Sequence, residues 1–351
     1  MTMPPPDPYP PLASPGYGPV PVAVDPRRRP VPVDPMPLEP VFYQHLLRGP
    51  RYRWWKPLLC LLLVLPLAIG LAALAVIPVV VAGLVTGAPD LVAYTLTTVT
   101  DIKHLGPVGF VYTNLTLIVL IPSVMLSVWA VHGTRPRFLA SVAGGIRWVW
   151  LLRCLMVVAP VWLAYGVVGL LAQPAGSPRP AHWLALLVIV VLMTPLQAAG
   201  EEYLFRGWII QNVGAWFARP MLGLAVSLVV SAVAFSAAHL SPDPFIVGTL
   251  ACLALTAGIA TWRTGGLEAA IVIHTVNNVL TFFVVILFGG WEDAFVTPTS
   301  KAPPSTLVAA VLVDALVLAL IFWQARRARI DNRYAPRPVS VVPAAPPSEF
   351  R

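Results

Sequence analysis

An all-α bundle of about eight transmembrane helices, flanked by Pro-rich tails, is expected of this 351-residue chain. Three observations lead there. Apolar residues make up 58% of the chain and charged residues 11%, less than half the charge of a soluble domain, so a soluble core could not hide the apolar surface. Eight stretches approach the roughly 20 apolar residues that one bilayer crossing needs. The basic residues behind the net charge of +8 lie beside those stretches, as cytoplasmic flanks do, which argues against nucleic acid as a partner.

Taken in order, residues 1–56 read as a disordered cytoplasmic tail. Residues 1–40 hold 15 of the 39 prolines and the basic run Arg27, Arg28 and Arg29. No apolar h-region occurs before about residue 57, so this is not a signal peptide. The transmembrane domain is expected over 57–325. Its first span, Leu58–Val85, carries Pro66 and Pro78 and should be kinked or tilted. The others are Val108–Val131, Ile146–Leu171, Trp183–Ala199, Met221–His239, Pro244–Trp262, Leu267–Phe288 and Thr306–Phe322. The stretch Tyr203–Ala218 either continues the fourth span, giving a helix of about 54 Å with the glutamates near its middle, or bends along the interface. Residues 326–351, with Arg326, Arg327, Arg329, Arg333 and Arg337, read as a second disordered cytoplasmic tail.

Orientation follows from charge. Arg48, Arg51, Arg53 and Lys56 precede the first span, and Arg135, Arg137 and Arg147 separate the second from the third. The last outer loop carries Glu292 and Asp293 against Lys301. Eight spans in a cell membrane with both tails cytoplasmic satisfy the positive-inside rule. Trp54, Trp55, Trp148, Trp150, Trp183, Trp262 and Trp323 sit at span ends, as an interfacial belt requires. Cys60, Cys154 and Cys252 lie far apart in apolar runs and read as buried hydrophobes without disulfide or zinc spacing.

Five ionisable residues interrupt the apolar runs. Glu201, Glu202 and Arg206 fall in Gly-Glu-Glu-Tyr-Leu-Phe-Arg-Gly, His239 ends Phe-Ser-Ala-Ala-His, and His274 opens His-Thr-Val-Asn-Asn. An ionised residue at a bilayer centre costs roughly 2.5–3.5 kcal/mol on insertion scales, so such a cluster is by default functional. Glu202 and Arg206 are i and i+4 and can pair, which limits the cost of burying both. Glu201 points about 100° away and is left to exchange a proton. His274 and Asn278 also share a helix face. A carboxylate, two imidazoles and an amide on three helices are what water-dependent amide hydrolysis needs: a base for the water and donors for the oxyanion.

The three motifs Glu201-Glu202-x-x-x-Arg206, Phe235-x-x-x-His239 and His274-x-x-x-Asn278, in that order on successive apolar segments, resemble the CAAX-protease and bacteriocin-processing (CPBP, Abi) family over about residues 183–288. The resemblance implies an intramembrane endopeptidase that cleaves a membrane-associated or lipidated protein or peptide. It implies Glu201 as the base that activates water with His239 beside it. His274 and Asn278 would stabilise the oxyanion, and Glu202 and Arg206 would support. Family members are described both as metalloproteases and as metal-independent glutamate proteases. A zinc ion held by Glu201, His239 and His274 is one expectation, and no cofactor is the other. His-Glu-x-x-His is absent, which excludes the common zincin arrangement. The competing classes are a scaffold or bacteriocin-immunity protein without turnover and an ion-coupled transporter. One geometric tension remains: upright helices leave His239 and His274 offset by about 10–15 Å in depth.

Overall fold

The computed structural model describes residues 34–171 and 178–336. Among them, eight segments are long and apolar enough to cross a membrane, and this is a multi-pass membrane protein. The first, Lys56–Thr86, consists of α1 (Lys56–Leu74) and α2 (Ile77–Thr86). The expected kink is not at Pro66, which α1 accommodates, but at Ala75 and Val76, just before Pro78 opens α2. A proline in the first turn loses no helical hydrogen bond, so a break there is the cheaper solution. A short helix, α3 (Leu91–Thr100), follows, capped by Asp90. The second span joins α4 (Pro107–Ile118) to α5 (Leu120–His132), and the third is α6 (Trp148–Leu171).

The fourth span continues through Tyr203, so the chain does not bend along the interface. It runs from Trp183 to Gly214 as α7 (Trp183–Glu202), a π-helical stretch (Tyr203–Ile209) and α8 (Ile210–Gly214). The remaining spans are α9 (Pro220–Ala238), α10 (Pro244–Thr264), α11 (Glu268–Phe288) and α12 (Pro304–Arg327). Prolines open α9, α10 and α12, where a missing N–H costs nothing. Asp243 caps α10 by accepting from the Phe245 and Ile246 amides. At the far end of α10, Gly265 takes φ +67°, and a Cβ there would run into the Asn332 backbone.

The expectation of tail disorder needs correction beside the bundle. Val41–Phe42 (β1) pairs antiparallel with Arg333–Tyr334 (β2), and Tyr43, Gln44, Leu46 and Leu47 are buried. The Tyr43 hydroxyl donates to the Leu139 carbonyl, and burial holds it protonated well above the usual tyrosine range. Gln44 donates to the Pro220 carbonyl and Arg48 to the Ala215 carbonyl. These contacts tie the segment to the loop after α5, to the α8–α9 turn and to the stretch after α12, which offsets the conformational entropy lost in ordering it. Arg147 forms a two-pronged pair with buried Glu268 at the start of α11, both oxygens at 2.8 Å. The same loops therefore form one ordered cap beside the tails. The expectations for residues 1–33 and 337–351 lie outside the described residues.

The core around the site is built by α7, which packs on α4 and α11, and by α10 between α9 and α12. The α4–α7 approach is close enough that a Cβ on Gly200 would meet the Leu117 carbonyl. Outward faces are apolar throughout, with Leu62, Val85 and Leu171 all exposed, as lipid contact requires.

Candidate active site

Helices α7 and α11 run antiparallel and set Gln197 opposite Asn278, and Glu201 and Glu202 opposite His274. Glu202 is fully buried. Its Oε1 accepts from His274 Nδ1 at 2.8 Å and from Arg206 Nη1 at 2.9 Å, so one carboxylate oxygen serves two partners. Arg206, also fully buried, lies over the Phe235 ring with its guanidinium carbon 4.4 Å from the centroid. The expected i, i+4 pair is therefore made, inside the π-helical stretch that follows Glu202. Such local rewinding recurs at functional sites because it re-aims side chains that a regular helix would fix.

Glu201 points into a cavity. Its Oε1 accepts from Gln197 Nε2, and its Oε2 stands 3.9 Å from His274 Nε2. That gap is too long for a direct hydrogen bond and suits two atoms that share one water. Asn277 Nδ2 donates to Asn278 Oδ1 at 2.9 Å, and Asn278 Nδ2 donates to Gln197 Oε1 at 3.2 Å. A directed chain of amides thus ends on the Glu201 carboxylate. Gln197 had not been singled out from the sequence, although it lies four residues before Glu201 and so on the same helix face.

His239 closes α9, its Nδ1 2.9 Å from the Phe235 carbonyl and its ring half-buried. The Phe235 ring packs against both imidazoles, with centroids 4.9 Å from His239 and 5.6 Å from His274. The anticipated depth mismatch is removed by the hairpin of α8 and α9. Gly207 lies against Leu267, one residue before α11, whereas Gly214 lies against Gln44 and Gly223. Seven residues of helix therefore extend past the start of α11, about 10 Å, and α9 begins that much deeper.

Glu201, His239, His274 and Asn278 all line one cavity of about 680 Å³, with Gln197 and Asn277 beside them. Its walls are apolar, including Leu117, Leu204, Leu250, Leu253 and Phe282. Glu202 and Arg206 do not reach it; they lie behind His274 and hold it in place. Among the described residues, no three His, Cys, Asp or Glu side chains are placed to hold a metal ion. Glu201, His239 and His274 as arranged do not form such a group. Asp314, midway along α12, is buried away from this cavity and faces the Cys252 side chain of α10.

Fold and site together define a polytopic helical membrane protein with a carboxylate–imidazole cluster enclosed in its bundle. Residues 180–280 match the family model described as Rce1-like, type II CAAX prenyl endopeptidase. The match spans all three motifs and bears out the resemblance to the CPBP family. It supports protease activity of the CAAX type in general terms and fits a membrane-associated substrate. No curated protein and no solved structure matches the chain.

Proposed function

We propose that this protein is a metal-independent intramembrane endopeptidase, with residues 183–288 as its catalytic core and Glu201 as its base. It sits in a cell membrane with both tails cytoplasmic and cleaves a membrane-associated or lipidated polypeptide. The observation that supports this reading is the pairing of Glu201 Oε2 with His274 Nε2 across 3.9 Å at the floor of an apolar cavity. A water at hydrogen-bond distance from both atoms fits the apex between them. Glu201 takes its proton as the water attacks the scissile carbonyl. Gln197 holds the carboxylate, while Glu202 fixes the His274 ring through Nδ1 and leaves Nε2 for the water. One Asn278 amide hydrogen is committed to Gln197; the second is free to meet the developing oxyanion. Glu201 then delivers the water's proton to the leaving amine, while His239, its Nδ1–H donating to the Phe235 carbonyl, keeps Nε2 as an acceptor beside the cavity.

The experiment compares the N- and C-termini of membrane proteins in cells that express wild type or Glu201→Gln. Termini lost in the variant, with uncut precursors accumulating, support a protease and identify its substrate. Unchanged termini, with the variant stably inserted, refute it and favour the scaffold or transport readings. The competing zinc form predicts a stoichiometric transition metal in purified protein and loss of cleavage on chelation. The metal-independent form predicts neither.

A further inference from the structure

We propose that the cavity is entered from the face of the bilayer opposite the two tails, which is the extracytoplasmic face. Its substrate is then an apolar, membrane-anchored segment presented on that side. This rests on the reading of Glu201 as the catalytic base.

The first step is geometric. The β1–β2 pairing, the bonds of Gln44 and Arg48 to the α8–α9 loop, and the Arg147–Glu268 pair gather both tail-proximal segments at one end of the bundle. The other end holds the loops after α3, α9 and α11, joined by Trp291 Nε1 donating to the Leu105 carbonyl and by Lys301 near Asp243. Residues that line the cavity come from that second end. Ile102 precedes α4, Leu240 follows α9, and Ala294–Pro298 lie between α11 and α12. Leu240, at the rim, is 73% exposed. Toward the tails no lining residue reaches the surface: Glu202 and Arg206 are fully buried behind the floor, and Tyr43, Leu139 and Leu267 are buried at the tail end.

The second step is electrostatic. Arg48, Arg51, Arg53, Arg135, Arg137 and Arg219 crowd the tail end. At the opposite end Asp90, Asp101, Asp243, Glu292 and Asp293 outnumber Lys103, Arg179 and Lys301. Short basic loops stay cytoplasmic during insertion, so the tail end is cytoplasmic and the mouth is outside. Access from outside in turn selects the substrate. Soluble cytoplasmic peptides have no route to Glu201, whereas an anchored chain reaching in from the outer leaflet meets apolar walls before the polar floor.

The test adds one cysteine, at Leu240 or at Arg329, to the chain, whose own Cys60, Cys154 and Cys252 set the background labelling, and treats right-side-out vesicles with a membrane-impermeant maleimide. Expected is labelling of the Leu240→Cys variant in sealed vesicles, and of the Arg329→Cys variant only after the membrane is opened. The reverse pattern overturns the proposal, as does labelling of Leu240→Cys only after opening. The same vesicles are compared with and without Glu201→Gln for terminal processing. Outer labelling with unchanged processing removes the protease reading alone. Inner labelling with lost processing removes the access proposal alone.

Discussion

Glu202 Oε1 lies 2.8 Å from His274 Nδ1, and the same oxygen holds Arg206 at 2.9 Å. The imidazole that faces the candidate water is thus oriented by a carboxylate whose charge is balanced inside the bundle. This division between a buried supporting carboxylate and a cavity-facing one separates the effects expected of neighbouring substitutions.

Glu201→Gln keeps the hydrogen bond to Gln197 possible and removes only the base. Cleavage should fall by about 10²–10⁴-fold, with thermal unfolding in detergent close to wild type. A variant that loses both activity and stability would point instead to a structural role for Glu201.

Glu202→Gln should behave differently. It leaves Arg206 as an uncompensated buried charge, and removing one partner of such a pair costs about 3–5 kcal/mol. A marked drop in unfolding temperature should accompany lost activity. Unfolding at the wild-type temperature would contradict the buried-pair assignment.

Gln197→Leu removes the donor to Glu201 and the acceptor for Asn278 while keeping a similar volume. Misplacing a reacting group by about 1 Å can cost on the order of 10²-fold in rate. The fall should appear in kcat with KM little changed, because the apolar walls of the cavity are untouched.

Gly200→Ala and Gly258→Ala form a contrasting pair. At Gly200 a Cβ meets the Leu117 carbonyl, a backbone atom that moves only if α4 moves. At Gly258 it meets the end of the Leu228 side chain, which can turn away. Overpacking costs about 1–3 kcal/mol where the neighbour cannot yield, so Gly200→Ala should lower thermal stability clearly more than Gly258→Ala. Equal effects would show that α4 and α7 can part without penalty.

Arg147→Met leaves Glu268 buried without its two-pronged partner. Lower stability of the cap and earlier proteolysis near residues 140–147 are expected, at a cost of about 3–5 kcal/mol. Limited proteolysis in detergent measures this, and wild-type resistance would overturn the assignment.

Much of this architecture was written locally. Each span is a run of apolar residues long enough to cross lipid, and prolines and glycines mark its ends, so the number of spans follows from hydropathy alone. The Glu202–Arg206 pair follows from i, i+4 spacing, and the three motifs identified the family segment. What stayed hidden depends on neighbours distant in the chain. Residues 34–55 look like a Pro-rich tail until Tyr43 finds the Leu139 carbonyl and β1 finds β2. The role of Gln197 appears only when α11 brings Asn278 beside it. The common depth of His239 and His274 required the α8–α9 hairpin to run past the start of α11. Sequence alone determined which residues are too costly to bury without purpose. Only the packing of helices against one another decided which of them share a cavity and at which end it opens, because a span's composition says that it crosses the membrane but not how far it slides past its neighbours.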